Sequence, residues 1–165
     1  MTKYEKCVYF FKKCDKIHEN KGQKMISDNR LFHSIGVARM AKQLAMCFRP
    51  NDTEFAENMF LLGLLHDIGY EFTDDVVQHA EIGGDILARC GFQYADSVAV
   101  HGYVTNNVFS DELYILNLAD MIVGSDGKTC TFDDRLDYIK NRYGAESKQY
   151  EEAVIMVKKL KELNL

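Results

Sequence analysis

Apolar residues recur along this chain at helical rather than strand spacing almost from end to end. Cys7, Phe10, Phe11, Cys14 and Ile17 form one stripe, which predicts a helix over 3–21 that ends at Lys21-Gly22. A second stripe, Val37, Met40, Leu44 and Cys47, predicts a helix from about Leu31 to Phe48. Arg49-Pro50-Asn51-Asp52 breaks the pattern, and Asp52 is placed to cap a third helix from Thr53 to Gly69, with Phe55, Met59 and Leu62 on one face. A turn or short helix follows at Thr73 to Gln78, then helices from His79 to Gly91 and from Tyr94 to His101. After a polar loop, Gly102 to Ser110, either Ser110 or Asp111 caps a very apolar helix that runs through Val123. The last two helices run from Phe132 to Tyr143, closed by Gly144, and over 147–163, an amphipathic stretch with Tyr150, Val154, Val157 and Leu160.

Composition agrees with an all-α, compact helical bundle. There is one proline in 165 residues, which argues against a loop-rich β-sandwich. That length supports a single domain over 1–165, and no linker or repeat interrupts it. The net charge of −5 disfavours an extended nucleic-acid surface, which needs bulk positive charge. Five cysteines, odd in number and without C-x-x-C spacing, read as free thiols in a reducing cytoplasm. No run of 18 apolar residues and no signal-peptide pattern occurs, so neither a membrane span nor a membrane partner is expected.

Within the helical pattern, four histidines sit where apolar residues belong. His33 heads the stripe through Val37, Met40 and Leu44; His66 follows Phe55 by eleven positions, close to three turns. His79 heads Ile82, Ile86 and Cys90, and His101 follows Tyr94 and Val98. The fifth, His18, lies in a polar run and reads as an exposed side chain. Two aspartates are equally out of place: Asp67 ends the run Phe60-Leu61-Leu62-Gly63-Leu64-Leu65-His66, and Asp120 lies inside the apolar helix. An inward carboxylate is costly unless it is paired or holds a metal. A single inward histidine is ordinarily a core residue bonded to a carbonyl. Six such residues together are better satisfied by a shared metal, since imidazole and carboxylate suit zinc, manganese, iron and cobalt.

These residues match a known pattern. The ordered strings Phe32-His33-Ser34-Ile35-Gly36, Gly63-Leu64-Leu65-His66-Asp67-Ile68-Gly69, His79-Ala80-Glu81-Ile82-Gly83-Gly84 and Leu118-Ala119-Asp120 resemble the HD-domain metal-dependent phosphohydrolase superfamily. The resemblance implies a motif-bearing core over about 30–143, with 3–21 and 147–163 as flanking packing helices. It implies divalent metals, one or two per chain, drawn from iron, manganese, cobalt, nickel, zinc or magnesium. His33, His66, Asp67 and Asp120 would hold one, and Asp67 would bridge to a second held by His79 and His101, as in the dinuclear branch. Asp67 and His66 would be catalytic, and a metal-activated hydroxide would attack phosphorus in a small phosphate ester or nucleotide.

One departure stands out. Some dinuclear members carry a lysine shortly after the His-Asp pair, where this chain has Tyr70. Arg30, one helical turn before His33, and Lys128, in the loop after Asp120, are the candidate phosphate contacts in its place. Glu71, Asp74 and Asp75 read as an acidic turn rather than proton-transfer groups, and Tyr103 and Phe109 are candidate base-stacking or packing residues. Two other readings use the same ligands: a di-iron oxygenase of this fold, and a non-catalytic metal-stabilised binding or regulatory module. Unrelated motifs fail on spacing. His79-Ala80-Glu81 lacks the Pro-Cys-x-x-Cys of a zinc deaminase, and Gly127-Lys128-Thr129 lacks the upstream glycine of a P-loop.

Overall fold

The computed structural model describes residues 27–104 and 109–163, so the helix expected over 3–21, with His18, lies outside the described residues. Those residues form α1 (Asp28–Phe48), α2 (Thr53–Leu65), a 3-10 turn (Ile68–Glu71), α3 (His79–Arg89), α4 (Ala95–Val100), α5 (Asp111–Met121), α6 (Phe132–Tyr143) and α7 (Lys148–Glu162). No strand occurs among them, only a single bridge between Val123 and Thr129, so the architecture is all-α as the spacing predicts. No helix among the described residues is long and apolar enough to cross a membrane.

Helix ends follow their side-chain caps. Asp52 accepts from the Phe55 N–H, Ser110 from Leu113 and Ser147 from Tyr150. At Thr131 the cap is reciprocal: its hydroxyl accepts from Asp134 N–H while the Asp134 carboxylate accepts from Thr131 N–H. Two boundaries differ by three residues or more from the sequence expectation. The first described helix starts at Asp28 rather than Leu31, because Ser27 accepts from the Arg30 N–H and captures the polar triplet ahead of the apolar stripe. The next helix ends at Leu65 rather than Gly69, since the chain leaves the α-helical path at Asp67 (φ −96°, ψ 10°) and tightens into the 3-10 turn.

The core lies where α1, α2 and α5 meet. Small residues on α1, Val37, Ala38, Ala41 and Ala45, are fully buried and let α2 approach closely; a Cβ on Gly63 would fall 2.8 Å from the Ala38 Cα. Met59 and Leu62 on α2, Ile115 and Leu116 on α5 and Leu87 on α3 fill the space between. α3 packs on α4 and on the 3-10 turn, while α6 packs on α7. The α3 contact needs Gly69, where a Cβ would fall 1.9 Å from the His79 carbonyl oxygen. The loop after α5 crosses α1 at Gly36, whose Cβ would fall 2.4 Å from the Gly127 oxygen; Gly127 itself has φ +75°.

Candidate metal centre

The six pattern-breaking side chains leave from different elements and converge. His33 is on α1, His66 and Asp67 follow α2, His79 opens α3, His101 follows α4, and Asp120 lies in the last turn of α5. His33, His66, Asp67 and His101 are buried. Ligand atoms of His33, His66 and Asp120 lie within 4.8 Å of one another, and so do those of His66, Asp67 and His101; each group could hold a metal ion. His79 joins the second group through its Nε2, 3.4 Å from Asp67 Oδ1 and 3.2 Å from His101 Nε2.

The backbone fixes which nitrogen donates in all four rings. His66 Nδ1 faces Gly63 O at 2.8 Å, His79 Nδ1 faces Val76 O at 2.7 Å, and His101 Nδ1 faces Val98 O at 2.6 Å. Each carbonyl lies three residues upstream, so this anchoring is local. His33 Nδ1 instead faces Gly124 O at 3.1 Å, in the glycine loop that crosses α1. A carbonyl only accepts, so each Nδ1 must donate, and in a neutral ring the Nε2 lone pair is left pointing at the cluster.

That arrangement has too many acceptors for its donors. His33 Nε2 lies 2.9 Å from Asp120 Oδ1, His79 Nε2 faces His101 Nε2, and the buried His66 Nε2 has no hydrogen-bond partner at all. Burial pushes the His66 pKa down to about 4, so this ring is neutral at pH 7 and its lone pair is available. At His101 burial also acts downward, but the hydrogen bond and charge of Asp67 outweigh it and the net shift is upward. Burial would raise the Asp67 carboxyl; the imidazoles of His66, His101 and His79 and the charge of Arg30 hold it well below the usual carboxylate range. At Asp120 burial is likewise outweighed, by the His33 hydrogen bond and the charge of Arg135. Inward lone pairs and two ionised carboxylates, Asp67 buried and Asp120 half-buried, fit a cation at the centre, with backbone carbonyls fixing the rings as they do at metal sites.

Two arginines grip the carboxylates from outside. Arg30 Nη1 donates to Asp67 Oδ2 at 2.6 Å, leaving Oδ1 to face the imidazoles. Its guanidinium lies 3.5 Å from the centre of the Tyr70 ring, and that ring stacks on His79 with centroids 4.1 Å apart and planes 19° apart. Tyr70 is therefore the middle layer of a stack that aligns Arg30 with the carboxylate and His79 with the cluster. Burial, and then the Asp67 charge, raise the Tyr70 phenol, so it stays protonated. On the other side Arg135 Nη2 donates to Asp120 Oδ1 at 3.1 Å. No cation adjoins either aspartate in sequence; both partners arrive through the fold.

A cavity of about 320 Å³ opens over the cluster. Arg30 lines it, but Lys128 does not: its ammonium is 83% exposed and pairs with Asp126 at 3.2 Å. The loop carrying Lys128 delivers the Gly124 carbonyl to His33 instead. Glu71, Asp74 and Asp75 do not line the cavity either, and Asp75 caps its own turn by accepting from the Val77 N–H. Tyr103 lines it and donates its hydroxyl to Val77 O, whereas Phe109 is buried in the core.

Among the lining residues that sequence reasoning missed are Arg135, Tyr138, Arg142 and Asn117. Only Asn117 carried a signal, as an amide inside the run Leu116-Asn117-Leu118; it is buried and its Oδ1 accepts from the Gly102 N–H at 2.9 Å, beside His101. The family model of the HD domain matches residues 30–122, which include all six clustered residues. No curated protein and no solved structure matches the chain.

Proposed function

The chain belongs to the HD-domain family, and we propose that it is a metal-dependent phosphohydrolase acting on a small phosphate ester or nucleotide. The observation that carries this reading is the set of four imidazoles anchored through Nδ1 on backbone carbonyls, with their Nε2 atoms turned toward Asp67 and Asp120. His33, His66 and Asp120 would hold one divalent metal, and Asp67, His79 and His101 a second beside it. Four imidazoles favour iron, manganese, cobalt, nickel or zinc over magnesium, which prefers oxygen. When bound, such a pair supplies a nucleophile from water at neutral pH and Lewis-acid neutralisation of the phosphoryl charge.

The chain's own groups do the rest. Burial keeps His66 neutral, so its lone pair is ready at neutral pH. Arg30 holds Asp67 Oδ2 so that Oδ1 faces the imidazoles, and Arg135 donates to Asp120 Oδ1, the oxygen that His33 also faces. Both guanidiniums lie at the cavity wall, where their remaining N–H groups can take phosphoryl oxygens, a geometry arginine suits better than lysine. The buried floor excludes bulk water and strengthens these interactions. A reducing, cytoplasmic setting belongs to the same proposal, in keeping with an odd number of cysteines that lack C-x-x-C spacing.

The test is a panel of phosphate esters and nucleotides assayed with manganese or reduced iron under strict anaerobiosis. Phosphate release supports the reading. Oxygen consumption by the iron protein without anaerobic hydrolysis assigns it to oxygenase chemistry instead, and tight binding without turnover of any compound assigns a binding module.

A further inference from the structure

α6 lies beyond the HD-domain match, which ends at residue 122, and it fully buries none of its side chains. Yet Arg135, Tyr138, Ile139, Arg142 and Tyr143 all line the cavity over the metal cluster. Their spacing, i, i+3, i+4, i+7, i+8, is one helical stripe, the positions that a packing helix fills with apolar residues. Here the stripe is cationic and aromatic.

Its two ends differ. Arg135 sits at the cluster, held by Asp120, and its Nε is buried without a hydrogen-bond partner. Arg142 lies seven residues on, about 10 Å along the helix. There Arg142 Nη1 donates to the Tyr138 hydroxyl at 3.1 Å, and its Cζ lies 5.2 Å from the centre of the Tyr143 ring. The Tyr138 ring remains 38% exposed. Burial would raise its phenol, but hydrogen bonds to Arg142 and Ser125 and the charges of Arg142 and Arg135 bring it below the ordinary value, a sign of positive local potential. On the facing α7, Glu152 pairs with Lys148 at 3.4 Å, so it does not simply cancel the arginines.

We propose that this α6 stripe is the leaving-group subsite, and that the substrate is a phosphomonoester bearing a planar aromatic ring, as a nucleoside monophosphate does. The proposal rests on the phosphohydrolase reading and narrows it. Phosphorus sits at the cluster beside Arg135, and the ring lies about 10 Å away against Tyr138, Arg142 and Tyr143, where tyrosine and guanidinium faces stack on it. A cavity of about 320 Å³ lies within the range of small-molecule sites.

Calorimetry on the full chain loaded with manganese tests this, using adenosine 5′-monophosphate and ribose 5-phosphate, in which a hydroxyl replaces the adenine ring. The wild type should bind the nucleotide at least about tenfold more tightly. Tyr138→Ala with Arg142→Ala should collapse that preference to within about threefold, and Tyr138→Phe, which keeps the ring, should retain most of it. Equal binding of the two ligands by the wild type, or an equal loss for both in the double variant, overturns the subsite. Turnover of the same ligands is read separately. A preference for the nucleotide without hydrolysis of either ester would uphold the subsite and overturn the phosphohydrolase reading.

Discussion

At the scale of single residues, the account turns on carboxylates that must be both ionised and aimed. Asp67 uses one oxygen for Arg30 and turns the other to the imidazoles, so in the proposed metal site Arg30 is a positioning residue. Arg30→Ala should weaken metal affinity by about 10–100-fold, as loss of outer-shell partners typically does. Arg30→Lys should restore little, because an ammonium cannot lie flat on Tyr70 while reaching Asp67. Competition titration with a chromogenic chelator reads both. Tyr70→Leu should act in the same direction by removing the layer between Arg30 and His79, while Tyr70→Phe should stay near wild type. The six clustered residues were legible because each is a polar residue on or at the end of an apolar stripe. Arg30 was legible only as a neighbour of His33. Arg135 was not, since its approach to Asp120 depends on the path of a loop and on α6.

At the scale of elements, close approaches that only glycine permits hold the ligands in place. Gly36→Ala would drive a Cβ into the Gly127 carbonyl and displace the loop that anchors His33. It should cost about 1–3 kcal/mol in urea unfolding. The α6 capping box gives a pH-dependent prediction. Hydrogen bonds from the Thr131 hydroxyl and N–H hold the Asp134 carboxyl below its ordinary value. Its contribution is therefore complete above the unfolded pKa of about 4 and fades as pH falls through the lower folded value. The gap in unfolding midpoint between wild type and Asp134→Asn should shrink as pH drops from about 6 to 3. Most helix ends could be read from caps and glycines. The exceptions, the early start at Asp28 and the early stop at Leu65, arise where a polar cap or an inward His-Asp pair overrides apolar periodicity.

For the whole molecule, the charge of −5 conceals an interior built for cations. Two divalent ions would place four positive charges against Asp67 and Asp120, with Arg30 and Arg135 close by, and make the pocket locally positive inside an acidic chain. Such ions would also bind the folded state selectively, because the clustered residues are spread from α1 to α5. Saturating metal at about 100 times its dissociation constant should stabilise the fold by about 2.7 kcal/mol, visible as a fall in Tm on adding a chelator. The central claim is tested most directly by elemental analysis of metal per chain in gently purified wild type and in Asp67→Ala, with circular dichroism on the same samples. The account predicts one to two equivalents of a transition metal in the wild type and substantial loss in the variant, with the helical signal retained. A wild type that binds no metal even after reconstitution, or a variant that keeps the full complement, would contradict it.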